Sequence, residues 1–169
     1  MNTFKEISPY EIDENIFKMI GKDWMLITAA KNNGDVNTMT ASWGGSGVLW
    51  NLPVAFTFIR PQRYTYEFTE ESQTCSLCFF DESFRDALTL CGRKSGRDMD
   101  KIGAAGLTVV KCDGVPYFDE AKTVLICRKL YADNIKPEAM IDKSHLEHYP
   151  INDFHKMYIC KIEKVLVRE

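Results

Sequence analysis

No stretch of this 169-residue chain is apolar for long enough to span a membrane or to form the core of an export signal. In MNTFKEISPYEIDENIFKMIGKDW, charged side chains recur every few residues. The expectation is a cytoplasmic protein with no membrane partner. Positive charge is also scarce. Lys and Arg number 21 against 24 Asp and Glu, a formal net charge of −3, which is the opposite of the basic balance of a nucleic-acid-binding surface. No nucleic-acid partner is expected. Repeats and low-complexity linkers are missing, and the length suits one unit, so residues 1–169 read as a single domain.

The common signatures of nucleotide and hydrolytic sites are absent too. Gly44, Gly45 and Gly47 do not have GxGxxG spacing, residues 92–101 contain no GxxxxGK[ST], and there is neither a GxSxG elbow nor an HExxH. Histidine is limited to three residues. His145 and His148 share a face if their segment is helical, but no carboxylate set organises them into a metal site, so none is assigned. His155 is a candidate for a pocket wall. Six cysteines could pair in fifteen ways, but without an export signal they are read as free thiols. Cys75 and Cys78 form a CxxC inside an expected strand, where an offset of three sends the side chains to opposite faces and makes chelation poor.

The chain is rich in β-formers punctuated by turns. Two runs, Trp24 to Ala30 and Val36 to Trp43, flank Asn32-Asn33-Gly34-Asp35, a strong hairpin signal. Further strands are expected at Val54 to Ile59, Thr74 to Phe80, Leu107 to Cys112, Thr123 to Ala132 and Met157 to Val167. The glycine-rich segment 44–47 between the second and third strands reads as irregular. Ser8-Pro9-Tyr10-Glu11 matches a capping box and predicts a helix carrying Ile12, Ile16, Phe17 and Ile20, ending at Gly21. Other helices are expected from Arg60 to about Glu71, from Ser83 to Leu90 and from about Asp98. Six or seven strands in hairpin-like succession with short helices argue for an antiparallel barrel or α+β fold.

Two segments are built alike. Around Arg60 to Thr65, and again around Ser95 to Lys101, cations and hydroxyls stand at an expected helix start, where free N–H groups favour an anion. Either alone is weak evidence and reads first as solvated surface charge. Together they match the needs of a phosphomonoester in an otherwise acidic chain. A third piece, Asn37-Thr38-Met39-Thr40-Ala41-Ser42-Trp43, is a strand with small, hydroxylated outer positions against which a flat heteroaromatic ring can lie; the plain alternative is an ordinary barrel strand with Met39, Ala41 and Trp43 inward.

Asn-Thr-Met-Thr-Ala-Ser-Trp-Gly-Gly (37–45), Arg-Pro-Gln-Arg-Tyr-Thr (60–65) and Cys-Gly-Arg-Lys-Ser-Gly-Arg-Asp-Met-Asp-Lys (91–101), in this order and spacing, resemble the flavin reductase-like FMN-binding split-barrel family, flavoredoxin branch. The likeness runs from about Phe4 to Val167. It implies a six-stranded antiparallel split β-barrel with short flanking helices, a homodimer, and FMN held noncovalently near the dimer interface. It implies cofactor-binding positions at Asn37, Met39, Thr40, Ala41, Ser42 and Trp43 for the ring, and at Arg60, Arg63, Thr65, Ser95, Arg97 and Lys101 for the phosphate. The redox chemistry then belongs to the flavin, and no catalytic residue is assigned. The leading expectation is an oxidoreductase passing electrons from NAD(P)H, docked transiently near Trp43, Trp50 or His155, to a free flavin or small acceptor. The alternatives are an electron carrier serving a protein partner without NAD(P)H turnover, and a cofactor-free interaction module.

Overall fold

A computed structural model describes residues 2–169. Its strands are β1 (Phe4–Ile7), β2 (Met25–Ala30), β3 (Val36–Ala41), β4 (Gly44–Leu49), β5 (Leu52–Ile59), β6 (Thr74–Phe79), β7 (Val109–Cys112), β8 (Val115–Phe118), β9 (Thr123–Asn134) and β10 (Lys156–Arg168). The helices are α1 (Ile16–Lys18), α2 (Tyr64–Glu71), α3 (Arg85–Arg93) and α4 (Lys101–Ala104), with several 3-10 turns. Eight strands form one antiparallel sheet in the order β3-β2-β6-β9-β10-β5-β4, with β1 on β10, and β7 and β8 make a separate hairpin. Only Ser42 and Trp43 separate β3 from β4 in sequence, yet among the described residues these two strands do not pair. The barrel is therefore split at that seam. None of the helices among the described residues is long and apolar enough to cross a membrane.

The apolar runs are nearly continuous because the central strands are covered on both faces. Met25, Ile27 and Ala29 join Cys75, Leu77, Phe79, Leu125 and Cys127 in one buried cluster. Leu26, Cys78, Val124 and Ile126 join Leu88 and Cys91 of α3 and Phe118 of β8 in a second. The two-residue side-chain period of a strand produces this division. It also sends Cys75 and Cys78 to different clusters, as their spacing requires, and all six cysteines are free thiols.

Several sequence expectations need correction. The helix expected over residues 9–21 is divided. Ser8 and Glu11 do form the capping box, but it caps only the turn Pro9–Glu11, and Ile12 is already extended at φ −68°, ψ 111°. Asn15 then caps a second start, and the α1 turn passes through Gly21 into a wider π turn ending at Asp23. Segment 44–47, expected to be irregular, is β4, held in register by pairing Gly44 with Thr57 through Leu49 with Leu52. The expected antiparallel split barrel is present, and its sheet has eight strands because β1 and β4 extend it, while β8 pairs with β7 apart from it. Glycine suits the start of β4 sterically: a Cβ on Gly44 would stand 2.7 Å from the Phe56 carbonyl oxygen, and its φ is 154°. Helix α2 begins at Tyr64 rather than at Arg60, because the Arg63 N–H closes a turn onto the Arg60 carbonyl at 3.1 Å.

Gly44→Ala is expected to destabilise the fold by about 1–3 kcal/mol through backbone strain and displacement of β5. Gly47→Ala, which has nothing within 4 Å of the new methyl, should be close to neutral. Urea unfolding midpoints of the two variants compare them directly.

Candidate functional site

At the seam between β3 and β4 lies a crevice of about 190 Å³, lined by Met39, Thr40, Ala41, Ser42, Trp43, Phe58, Arg60, Arg63 and His155. Seven of the twelve expected site residues meet there. What β3 offers is mainly backbone and small surface, because its hydroxyls are engaged elsewhere. Thr40 Oγ1 donates to the Leu88 carbonyl of α3. Thr38 Oγ1 lies 2.8 Å from Thr28 Oγ1 and donates to the Ile27 carbonyl at 3.0 Å.

The five other expected residues, Asn37, Thr65, Ser95, Arg97 and Lys101, stand behind or beside the crevice. Asn37 and Thr65 are buried, and Asn37 Nδ2 donates to Thr65 Oγ1 at 2.9 Å. This pair ties β3 to α2, and the 91–101 loop closes over it so tightly that a Cβ on Gly96 would stand 2.3 Å from Asn37 Oδ1. Ser95 Oγ accepts the Arg97 N–H at 3.1 Å and shapes the same loop. At the second helix start, the free N–H groups expected to face an anion are partly taken up within the chain. Asp100 caps it, its Oδ1 accepting from the Gly103 N–H at 3.0 Å.

The cations differ sharply in their partners. Arg60 is bound by the 135–154 segment: Nη1 donates to Asp153 Oδ2 at 2.5 Å, Nη2 donates to the His148 carbonyl at 2.9 Å, and the guanidinium lies over the Tyr149 ring. Arg97 pairs with Glu67 and stacks on Tyr64 at 4.6 Å. Arg63 and Lys101 are the exceptions, since among the described residues neither makes an ion pair. Both instead reach the carbonyl of Cys91, Arg63 Nη2 at 3.5 Å and Lys101 Nζ at 3.2 Å, and Lys101 also donates to the Lys94 carbonyl at 3.1 Å. Burial, with the Arg63 charge adding to it, lowers Lys101 to a pKa of about 8, only partly opposed by the Cys91 thiol. Burial and then Arg60 likewise lower Arg63. The two charges thus converge on one carbonyl with no carboxylate counter-ion among the described residues.

His155 was anticipated as a pocket wall and is one. Phe58, Tyr149 and Asp153 were missed; no motif marks them, and only the pairing of β5 with β10 and the return of residues 135–154 bring them near. The rings of Trp43 and His155 stand 5.2 Å apart. Trp50, expected near the same pocket, sits instead at the β4–β5 turn, with φ 52°, at the far end of β4 from Trp43. His145 and His148 do stack, at 6.0 Å, but among the described residues no three metal-ligating side chains gather. A larger crevice of about 370 Å³ includes Lys18, Asp23, Arg85 and Lys122 in its wall. Its cations are already satisfied: Lys18 pairs with Asp23 at 2.6 Å, Lys122 with Glu14 at 2.7 Å, and Arg85 donates to the Lys22 carbonyl at 2.7 Å. It contains none of the expected residues.

The Lys101 shift has a consequence for the protein without ligand. A lysine whose pKa falls on folding, here from 10.5 to about 8, opposes folding while it is charged, and this penalty fades as pH rises across that interval. Stability should therefore gain from this residue between pH 8 and 10.5, and Lys101→Met should remove that gain. Thermal melts of the two proteins across the window compare them.

Comparison with known proteins accords with this geometry. A family model described as the flavin reductase like domain matches residues 18–169. Among curated proteins, no relative matches. The chain is similar in structure to an FMN-binding domain of a flavin reductase-like enzyme from Shewanella baltica OS155, with TM-score 0.70, 15% identity and coverage of 99% of this chain and 78% of that one. It is similar to a flavoredoxin of Desulfovibrio vulgaris (Miyazaki F), with TM-score 0.69, 19% identity and coverage of 96% and 78%. It is also similar to a flavoredoxin from Methanosarcina acetivorans, with TM-score 0.68, 21% identity and coverage of 96% and 77%. With the split sheet and the match over residues 18–169 both in hand, this chain belongs to the flavin reductase like domain family.

Proposed function

We propose that this chain binds FMN at the β3–β4 seam and works in the cytoplasm as a single-domain flavoprotein oxidoreductase, passing electrons from NAD(P)H to a free flavin or another small acceptor. The observation that carries the reading is the pair Arg63 and Lys101, which converge on one carbonyl without a carboxylate partner. A phosphate dianion relieves their repulsion and is held by charge-assisted hydrogen bonds. The residues present fit the rest of the cofactor as well. Met39 to Trp43 offer a flat strand edge with little projecting polarity, and the Asn37–Thr65 bond fixes the distance between that strand and the cations.

When bound, FMN supplies hydride and electron chemistry that no side chain of the protein provides. The chain's own groups bind, orient and exclude water. Ser95 and Arg97 belong to the loop that carries the phosphate cradle, with Arg97 anchored to Glu67 and Gln62. Arg60 holds the 135–154 segment against the crevice. Trp43, 44% exposed, leaves one side open for transient docking of NAD(P)H or an acceptor.

A crevice of about 190 Å³ is smaller than the ~300–1,000 Å³ of most ligand pockets, which favours a second wall supplied by another copy. The adjoining groove of about 390 Å³ shares Ser42 and Trp43 and runs along Phe17 and Gly44 to Ser46. Phe17, Val48 and Trp50 are exposed apolar side chains near this edge. A homodimer that covers them completes the site. The same exposed edge favours a second reading, in which a protein partner docks there and exchanges electrons without NAD(P)H turnover.

FMN titration followed by fluorescence quenching should show tight binding. Arg63→Ala and Lys101→Ala should each weaken it by about 10–100-fold, the worth of one charge-assisted hydrogen bond, with Arg97→Ala costing less. Steady-state NAD(P)H oxidation with added flavin separates the two redox readings, because only the enzyme turns over. A colourless protein that leaves FMN fluorescence unquenched refutes both. Sedimentation should give a dimer that Phe17→Glu weakens.

A further inference from the structure

Tyr149 and His155 are buried side by side at the crevice wall, with the phenol oxygen 2.9 Å from His155 Nδ1 and the rings 5.5 Å apart at 79°. One of the two must donate. The backbone N–H of His155 also donates towards the phenol oxygen, but among the described residues Nδ1 is the hydroxyl's one acceptor, so a donating imidazole would leave the phenolic hydrogen buried without an acceptor, which is the costly arrangement. The phenol therefore donates and Nδ1 accepts.

The other ring nitrogen has a different environment. His155 Nε2 makes no hydrogen bond within the described residues, yet the buried side-chain polar atom left without a partner is Asp153 Oδ1, not Nε2. Nε2 thus keeps contact with the open crevice that its ring lines. The charged groups facing the ring are Arg60 and Arg63 from the β5–α2 connection and Asp153 from the segment before β10. Burial first, and then Arg60, draw the imidazole pKa down to about 4, against a smaller opposing effect of Asp153. The ring is therefore neutral at physiological pH and carries one proton, on Nε2.

We infer that Tyr149 is a positioning residue that locks His155 as the Nε2–H tautomer, so that the crevice presents a fixed hydrogen-bond donor and selects planar ligands bearing a carbonyl oxygen at that point. The tautomer stands on the contacts within the chain; the ligand class rests on the proposed redox site. A carbonyl accepts this hydrogen bond, whereas a hydrocarbon of the same shape leaves the buried donor unpaired and is disfavoured.

Imidazole 15N NMR at neutral pH tests the first half on the protein as purified. The expected result is a protonated Nε2 and an unprotonated Nδ1 for His155 in the wild type, and a mixture of tautomers in Tyr149→Phe, which keeps the ring packing against Phe154 and Arg60. A wild-type Nδ1–H form, an imidazolium, or an unchanged tautomer in Tyr149→Phe overturns the proposal. For the second half, acetophenone is titrated before and after FMN addition, with α-methylstyrene as the isostere lacking oxygen. Acetophenone should shift the Nε2 resonance and bind about tenfold more tightly than α-methylstyrene, the worth of one hydrogen bond, and Tyr149→Phe should erode that preference. Equal binding of the two probes overturns the carbonyl selection. Failure of FMN to bind refutes the redox reading and leaves the tautomer measurement standing.

Discussion

Two cations that share one acceptor and lack any carboxylate are the constraint around which the site is organised. Arg63 and Lys101 both donate to the Cys91 carbonyl; burial lowers the affinity of each for its proton, with Arg60 adding to it at Arg63 and Arg63 adding to it at Lys101. Such an arrangement costs stability in the protein alone. It persists because its supports are over-determined: Cys91 and Leu88 are buried in the second core cluster, Thr40 bonds the Leu88 carbonyl, and Asn37 bonds Thr65. The same contacts that pack α3 and α2 on β3 hold the two charges together. Core packing and the placement of the two cations are thus coupled in this part of the molecule.

The split in the barrel gives that charge pair something to serve. Were β3 and β4 hydrogen-bonded, Ala41, Ser42 and Trp43 would be spent on sheet closure. Because the two strands diverge, their junction opens as a crevice whose floor is strand backbone and whose walls are Phe58, His155 and Arg60. The 135–154 segment completes the far wall, fastened chiefly by Arg60 to Asp153 and to the His148 carbonyl. Arg60 therefore acts as a clasp, while Arg63, three residues on, lines the crevice without a carboxylate partner. Their roles separate because a carboxylate reaches one and not the other.

Much of the fold was legible in the residues. The Asn-Gly turn fixed the first hairpin, and the runs Thr74 to Phe80 and Thr123 to Ala132 read correctly as strands because both faces are buried along the first and along Thr123 to Cys127 of the second. The errors lay where a neighbour overruled local preference. Glycines at 44, 45 and 47 weaken a strand in isolation, but β5 supplies the partner, and at Gly44 that partner approaches too closely for a side chain. The capping box at Ser8 formed, but the helix it announces was cut short at Ile12, which turns into an extended conformation and packs against the core instead.

The sequence by itself determined the alternation of buried faces, the opposite orientation of Cys75 and Cys78, and the presence of two basic segments and a small-residue strand in the right order. These follow from side-chain period and residue chemistry, which are local. Only the tertiary structure decided which cations lack a carboxylate partner. Arg60, Arg63, Arg97 and Lys101 are equivalent as letters, and their difference is made by Asp153 and Glu67, 93 and 30 residues away from the arginines they neutralise. It also decided that Trp43 and His155 meet while Trp50 lies apart, because strand pairing sets such distances through register between segments far apart along the chain.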